Sequence, residues 1–333
     1  MHEVVLSRND FWKNRRVFVT GCTGIVGSWL TLALLDAGAD VIGLIRDRMP
    51  LSNLHLSGAD QRIISVDGDI ADAPLIERVL NEYEIEIVFH LAAQPLVRLA
   101  NRAPVGTFEI NIRGTWLLLE ACRVSPTVKR IVVASSDKAY GDQDVLPYTE
   151  DAPLQGRHPY DVSKSCADLI TQTYANTYNL PVSITRCGNI YGGGDLNWDR
   201  IVPGTMRSVL RGESPIIRSD GTPLRDYLYV DDIVDGYLRL AECLGDQSLY
   251  GQAFNFGMDD PKSALDIARA IIAISDHPEL EPMVLNQATH EIGKQYLSSA
   301  KAHRVIGWSA RHSLEDGLRK TLAWYREFLM RDS

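Results

Sequence analysis

Arg16-Val-Phe-Val-Thr20-Gly21-Cys-Thr-Gly24-Ile-Val-Gly27 is the stretch that decides the fold. Residues 16–20 form a short run rich in β-branched side chains, which reads as a buried strand. The residues from Ser28 to Ala37 repeat apolar side chains at helical spacing. Strand, glycine turn and helix in this order open a Rossmann-type unit. Gly21 permits the tight turn, Gly24 lets backbone amides approach a pyrophosphate with no Cβ in the way, and Gly27 lets the helix pack close to the strand. The diphosphate of a dinucleotide would rest on the helix N-terminus, against Thr23, Ile25 and Val26.

Further along, Val133-Ala-Ser-Ser-Asp-Lys-Ala-Tyr-Gly141 and Tyr160-Asp-Val-Ser-Lys164 supply a hydroxyl, a carboxylate, a phenol and an ammonium group. Tyr160 and Lys164 are four residues apart and share a helix face one turn apart. There the ammonium can lower the phenol from its usual pKa of ~10, giving a tyrosinate that acts as a base near neutral pH. Ser136 can hydrogen-bond the same hydroxyl that Tyr160 deprotonates, and Asp137 and Lys138 add a second acid/base pair. An isolated Y-x-x-x-K is most often an ordinary helix surface. The glycine turn upstream gives this one a redox partner.

Around these motifs the chain alternates. Strands are expected near 16–20, 40–45, 62–66, 86–91, 130–135 and 182–186, with helices between them, which predicts an α/β fold with a doubly wound parallel Rossmann sheet. Beyond Asn189 the rhythm loosens, and Gly/Pro-rich stretches such as Gly212 to Pro223 predict a smaller C-terminal substrate-binding lobe. The expected division is 1–188 for the dinucleotide domain and 189–333 mainly for the lobe, with segments crossing between them. A chain of 333 residues, 45% hydrophobic, can bury a large core of this kind. Its net charge of −9 argues against a nucleic-acid surface. Cys22, Cys122, Cys166, Cys187 and Cys243 are scattered with no C-x-x-C, which fits free thiols in a reducing cytoplasm. Cys22 reads as a small buried filler. No apolar run of ~18 residues predicts a membrane span, and the eight histidines lack ligand spacing, so no metal is expected.

The G-x-x-G-x-x-G spacing together with Tyr160-x-x-x-Lys164 resembles the extended short-chain dehydrogenase/reductase superfamily. Further ordered matches run through the chain: Asp67-Gly-Asp-Ile70, His90-Leu-Ala-Ala-Gln94, Asn111-Ile-Arg-Gly-Thr115, Arg186-Cys-Gly-Asn189-Ile-Tyr-Gly-Gly-Gly194, Arg225-Asp-Tyr-Leu-Tyr-Val-Asp-Asp232, Leu297-Ser-Ser-Ala-Lys301 and Ile306-Gly-Trp308. Within the superfamily, Gly27-Ser-Trp-Leu30, His90 to Arg98, Ser135 to Tyr140 and Gly192-Gly-Gly-Asp195 are most similar to the CDP-glucose 4,6-dehydratases. Two departures separate the chain from that branch. Ile25 and Val26 stand where it usually has an aromatic and a lysine, and the Arg225-Asp-Tyr segment is more typical of epimerases and other dehydratases.

The resemblance implies a nucleotide-sugar enzyme that moves hydride to and from a bound nicotinamide cofactor. It implies cofactor contacts from Asp69 and Ile70 at the adenine and from Leu91, Ala92 and Ala93 along the nicotinamide ribose, and substrate contacts from Gln94, Asn189, Arg200 and Arg225. For a 4,6-dehydratase it implies Tyr160 and Ser136 at the sugar C4 hydroxyl, and Asp137 protonating the departing C6 hydroxyl. Lys138 stands where related dehydratases have a glutamate base. It either acts with a lowered pKa or stabilises the enolate while another group takes the C5 proton. A 4-epimerase would need only Ser136, Tyr160 and Lys164. For the cofactor, Arg46 after the second strand points to NADP, whereas Asp47 and the resemblance point to NAD, which is favoured. The resemblance also implies a homodimer through helices spanning about Thr107 to Cys122 and Tyr160 to Tyr178.

Other residues have plainer readings. Asp231 and Asp232 are expected to cap the helix that follows them. Arg186 can be structural, Trp198 and Arg200 either line the site or anchor a loop, and Trp324, Tyr325 and Phe328 are expected to pack.

Overall fold

The computed structural model describes residues 8–287 and 292–331. Its centre is a seven-stranded parallel sheet: β1 (Arg16–Thr20), β2 (Asp40–Ile45), β3 (Ile64–Asp67), β4 (Ile87–His90), β5 (Arg130–Ala134), β6 (Val182–Cys187) and β7 (Ala253–Phe256). Their spatial order is β3-β2-β1-β4-β5-β6-β7, every neighbouring pair parallel. Six strands lie where the sequence pattern puts them. The seventh, the short Ala-Phe-Asn-Phe run of β7, comes from the half of the chain whose rhythm had loosened.

Strand periodicity distributes side chains to the two faces. Val17 and Val19 of β1 enter one core with Leu30 and Leu34 of α1 (Ile25–Asp36), and Phe18 enters the other. That second core is filled by Ile76, Val79 and Leu80 of α2 (Ala73–Glu82) and by Leu118 and Leu119 of α3 (Gly114–Val124). On the first face, α5 (Val230–Cys243) packs beside α1, while α4 (Pro159–Tyr178) lies against α3 on the other. Helix α1 begins at Ile25, three residues before the expected Ser28, because Gly24 ends the loop in an extended conformation and the chain turns helical at once.

The strand order reverses between β1 and β4, and a crevice at their carboxyl ends is where ligands bind in open α/β sheets. Above it lie two small β elements from the C-terminal half. Residues 189–191 pair with 227–229, and 224–225 are flanked by 262–263 and 294–295. The C-terminal helix α6 (Leu314–Arg331) closes the far side, with Trp324 stacked on Phe328 at 5.1 Å and edge-on to Tyr325. No helix among the described residues is long and apolar enough to cross a membrane.

Candidate active site

The crevice starts at the glycine turn. Gly21 has φ +73°, and a Cβ there would lie 2.8 Å from Ala92 N. A Cβ on Gly27 would lie 2.1 Å from Gly21 O, so only glycine lets the helix approach the turn. Gly24 caps α1 without any side-chain hydrogen bond, which leaves the amides of the first turn uncapped by side chains. An open backbone cradle on the positive end of a 12-residue helix fits a diphosphate. Cys22 is fully buried, and burial pushes its thiol up to about 12, so it is a filler and not a nucleophile.

The β4 end is fixed by a buried chain of hydrogen bonds. Thr20 Oγ1 accepts from Leu91 N at 3.2 Å and Ala92 N at 3.1 Å and pairs with His90 Nδ1 at 2.9 Å. His90 Nε2 pairs with Thr115 Oγ1 at 3.0 Å. Burial, assisted by the charge of Lys164, pushes His90 down to about 3, so it stays neutral. A π-helical turn at Glu109–Arg113 aims Asn111 at the same loop: its Oδ1 accepts from Gln94 N at 2.7 Å, and its Nδ2 donates to Ser163 Oγ on α4 at 2.9 Å.

The reactive groups stand across the crevice. Ser136, Asp137 and Lys138 enter a 3₁₀ turn (Asp137–Tyr140) after β5, and α4 packs on that turn with Tyr160 and Lys164. Lys164 is buried, its Nζ donates to Ala134 O at 2.8 Å, and burial lowers it from 10.5 to about 8. Tyr160 departs from the sequence expectation. Burial first, then the charge of Asp137, raises it from 10.0 to about 12, against lowering by a Ser136 hydrogen bond and by Arg200. Lys164 is not among the strongest influences on it, because the ammonium is turned to a backbone carbonyl.

Asp137 is only 2% exposed; its Oδ1 accepts from Ser136 Oγ at 3.0 Å, and its Oδ2 is buried with no hydrogen-bond partner. Lys138 Nζ donates to Gln295 Oε1, and burial raises the neighbouring Asp161 despite the opposing pull of the Lys138 charge. Gln295 is fully buried, and its Nε2 donates to the Asp137 carbonyl at 3.1 Å. The sequence pattern gave no sign of this residue, which arrives from a two-residue strand 157 positions from Lys138. Asp226, inside the Arg225-Asp-Tyr segment, has no role that the sequence pattern reveals. It is fully buried, its Oδ1 accepts from Met258 N at 2.7 Å, its Oδ2 has no partner, and burial raises it to about 6.

The remaining expected contacts divide. Arg200 faces Tyr160 closely enough to lower it and pairs with Asp195 at 2.8 Å. Asn189 and Arg225 lie on the small β elements over the crevice, partly buried. Gln94 turns away from this role. Its Nε2 donates to Leu96 O and Thr107 Oγ1 at 3.1 and 3.2 Å, and its Oε1 accepts from Leu96 N at 2.6 Å, so the amide is consumed in shaping its own loop. Arg186 is structural, bound in a buried bidentate pair to Asp168 at 2.8 and 3.0 Å. Asp232 does not cap its own helix. It accepts from Arg311 N, His312 N and His312 Nδ1 at 3.0, 3.2 and 3.0 Å, fastening the segment before α6. Trp198 anchors its loop on Tyr325 at 5.7 Å under Arg207. At the carboxyl ends of β2 and β3, Asp69 Oδ1 accepts from Ala71 N at 2.8 Å, Ile70 is buried, and exposed Arg46 pairs with Asp47 at 2.7 Å.

Comparison with known proteins agrees with this geometry. The model of the NAD dependent epimerase/dehydratase family matches residues 17–257. The CDP-glucose 4,6-dehydratase of Salmonella typhimurium is 32% identical over 334 residues, covering 96% of this chain and 93% of its own. A UDP-glucose 4-epimerase from Thermotoga maritima, solved with UDP-glucose, superposes with a TM-score of 0.85 at 28% identity, covering 94% of this chain and 99% of that one. The dTDP-glucose 4,6-dehydratase of Streptomyces venezuelae, solved with NAD, gives 0.82 at 29%, covering 94% and 97%.

Proposed function

The chain belongs to the NAD dependent epimerase/dehydratase family, and from that premise we propose that it is a nucleotide-sugar 4,6-dehydratase acting on a CDP-hexose. The observation that carries the reading is Asp137: a buried carboxylate beside Ser136 and Tyr160 with one oxygen unpartnered in the protein. A buried carboxylate is costly unless something meets it. A 4-epimerase has no use for it, whereas a dehydratase needs an acid for the C6 hydroxyl. The CDP assignment is supported by the likeness to the Salmonella enzyme.

Gly21, Thr23, Gly24, Ile25, Val26 and Gly27 would hold the cofactor's diphosphate, Asp69 and Ile70 its adenine, and Leu91, Ala92 and Ala93 its nicotinamide ribose. NAD is favoured over NADP by Asp47 after the second strand and by the likeness to a dehydratase solved with NAD. The bound dinucleotide would supply hydride acceptance from sugar C4 and hydride return at C6. Tyr160, which burial holds at about 12, would take the C4 hydroxyl proton as hydride leaves C4, its phenolate favoured by Arg200 and by the positive charge of a bound oxidised nicotinamide, with Ser136 orienting that hydroxyl, to give the 4-ketone. The C5 proton is then acidic: a neutral Lys138 amine or another base in the crevice takes it, while Asp137 in its protonated form delivers a proton to the C6 hydroxyl, which breaks the C6–O bond and releases water. Lys138, next to Asp137, is suited to stabilising the enolate charge. Hydride at C6 and a proton at C5 complete the 4-keto-6-deoxy sugar. Arg200, Asn189 and Arg225 hold the nucleotide sugar, with Arg225 on its diphosphate. We also propose a homodimer through the α3 and α4 region, and a cytoplasmic setting that fits its free cysteines.

The 4-epimerase reading is supported by the 0.85 TM-score to the Thermotoga enzyme. Incubation with CDP-, dTDP-, UDP- and GDP-glucose, read by mass, separates the two: dehydration removes one water and epimerisation none. Asp137→Asn keeps the shape and removes the transferable proton. It should oxidise C4, accumulate reduced cofactor absorbing near ~340 nm, and stall before water loss. An Asp137→Asn enzyme that interconverts C4 epimers at the parent rate, with no water lost by either protein, makes this an epimerase.

A further inference from the structure

We infer that Gln295 is a positioning residue for the elimination step, gripping both members of the Asp137–Lys138 pair with a single buried amide. This rests on the dehydratase reading. Its Oε1 accepts from Lys138 Nζ and its Nε2 donates to the Asp137 carbonyl at 3.1 Å, so one planar group fixes the ammonium and the turn that carries the carboxylate. The amide is fully buried, where a partner lost is not replaced by water. Removing it leaves the Asp137 carbonyl without this donor and changes the support of Lys138 Nζ.

The origin of the residue adds a second link. Gln295 lies on the strand Lys294–Gln295, which runs parallel to Leu224–Arg225, with Gln295 in register with Arg225. The arginine proposed to hold the substrate diphosphate and the amide that holds the acid/base pair are therefore ladder neighbours. A displacement of this short ladder moves both. Seating of the diphosphate and alignment of Asp137 and Lys138 are thus mechanically joined. Tyr160 and Lys164, on α4, are not carried by this strand, and Ser136 meets it only through the turn it shares with Asp137. The inference separates two half-reactions that share one pocket: water loss depends on Gln295 more steeply than C4 oxidation does.

Single-turnover experiments on the full chain with NAD and the nucleotide hexose that the wild type dehydrates test this. Gln295→Met conserves volume and removes both hydrogen bonds; Gln295→Glu keeps an acceptor for Lys138 and loses the donor to Asp137. In Gln295→Met, C4 oxidation should slow far less than water loss, so that reduced cofactor appears and persists. A 4-keto sugar that retains its C6 oxygen should accumulate, and water loss should slow by about 10²-fold, the scale of a small misplacement of catalytic groups. Gln295→Glu should recover part of that loss. An unchanged partition between ketone and dehydrated product in both variants overturns the inference, as does a proportional fall in oxidation and water loss, which marks a merely structural role. If Gln295→Met does not fold, Gln295→Glu decides alone, and a wild-type partition in it overturns the inference. A wild type that removes water from none of the CDP-, dTDP-, UDP- and GDP-hexoses is a different result, and it rejects the dehydratase reading on which the inference stands.

Discussion

Tyr160 and Lys164 show what spacing reveals at a single residue and what it does not. Four residues of separation put both on one helix face, which the sequence makes plain. The direction of the ammonium depends on which acceptor lies nearest, and that acceptor is Ala134 O, supplied by β5 thirty residues earlier. Burial therefore acts on the two groups separately: Tyr160 rises to about 12, and Lys164 falls from 10.5 to about 8. The lysine makes a testable link to stability. Its folded value lies below its unfolded one, so between pH 8 and 10.5 the unfolded chain binds the extra proton. Stability from this group rises with pH across that window and is flat below it, where both states are charged. Lys164→Met removes the titration while filling similar volume. The difference in unfolding free energy, wild type minus variant, should climb by up to about 3 kcal/mol from neutral pH to the top of the window. Denaturant melts of the cofactor-free proteins at several pH values check it, and parallel profiles for the two proteins would mean that burial does not depress Lys164.

The glycine turn is the element where sequence and structure coincide most closely, because strand, glycines and helix follow one another without a break. It also yields a contrast between two of them. A methyl on Gly27 would stand 2.1 Å from Gly21 O, inside the packing of helix on turn, whereas one on Gly24 meets nothing nearer than 3.4 Å. Gly27→Ala should lower stability by ~1–3 kcal/mol and weaken NAD binding. Gly24→Ala should leave the melting temperature almost unchanged and weaken NAD binding by ~10-fold or more, because its methyl points where the diphosphate would lie. Calorimetry on both variants checks this, and full NAD affinity in Gly24→Ala would remove the diphosphate from this turn. Elsewhere, legibility fell with element length and contact distance. The first six sheet strands announce themselves by β-branched runs at regular intervals. The strand carrying Gln295 has two residues, too few for periodicity to register, and β7, no shorter than β3 or β4, lies beyond the regular alternation that marks the others. Gln94 was misread for a related reason: its motif was visible, but the inward turn of its amide depends on Leu96 and Thr107, outside the motif.

At the scale of the whole molecule, the helices beside the crevice leave apolar surface uncovered. Leu99 is 44% exposed, Val105 72%, Trp116 40% and Leu169 52%, on helical segments that pack against one another around α3 and α4. Singly such residues are ordinary; gathered on adjoining helices they form the kind of patch that a second subunit covers. A twofold pairing of α3 and α4 would make a four-helix bundle, and a stable interface asks for about 800 Å² from each partner. Light scattering at micromolar concentration should give twice the 37.1 kDa chain mass. Trp116→Glu combined with Leu169→Glu buries two charges from each chain at the twofold and should give the single-chain mass with the far-UV spectrum retained. The reactive and cofactor-cradling residues named above all come from one chain, so the dissociated variant should keep its NAD affinity and lose chiefly thermal stability. A wild type that scatters as a monomer rejects the pairing, and loss of NAD affinity in the folded monomeric variant would mean that the partner subunit reaches the site.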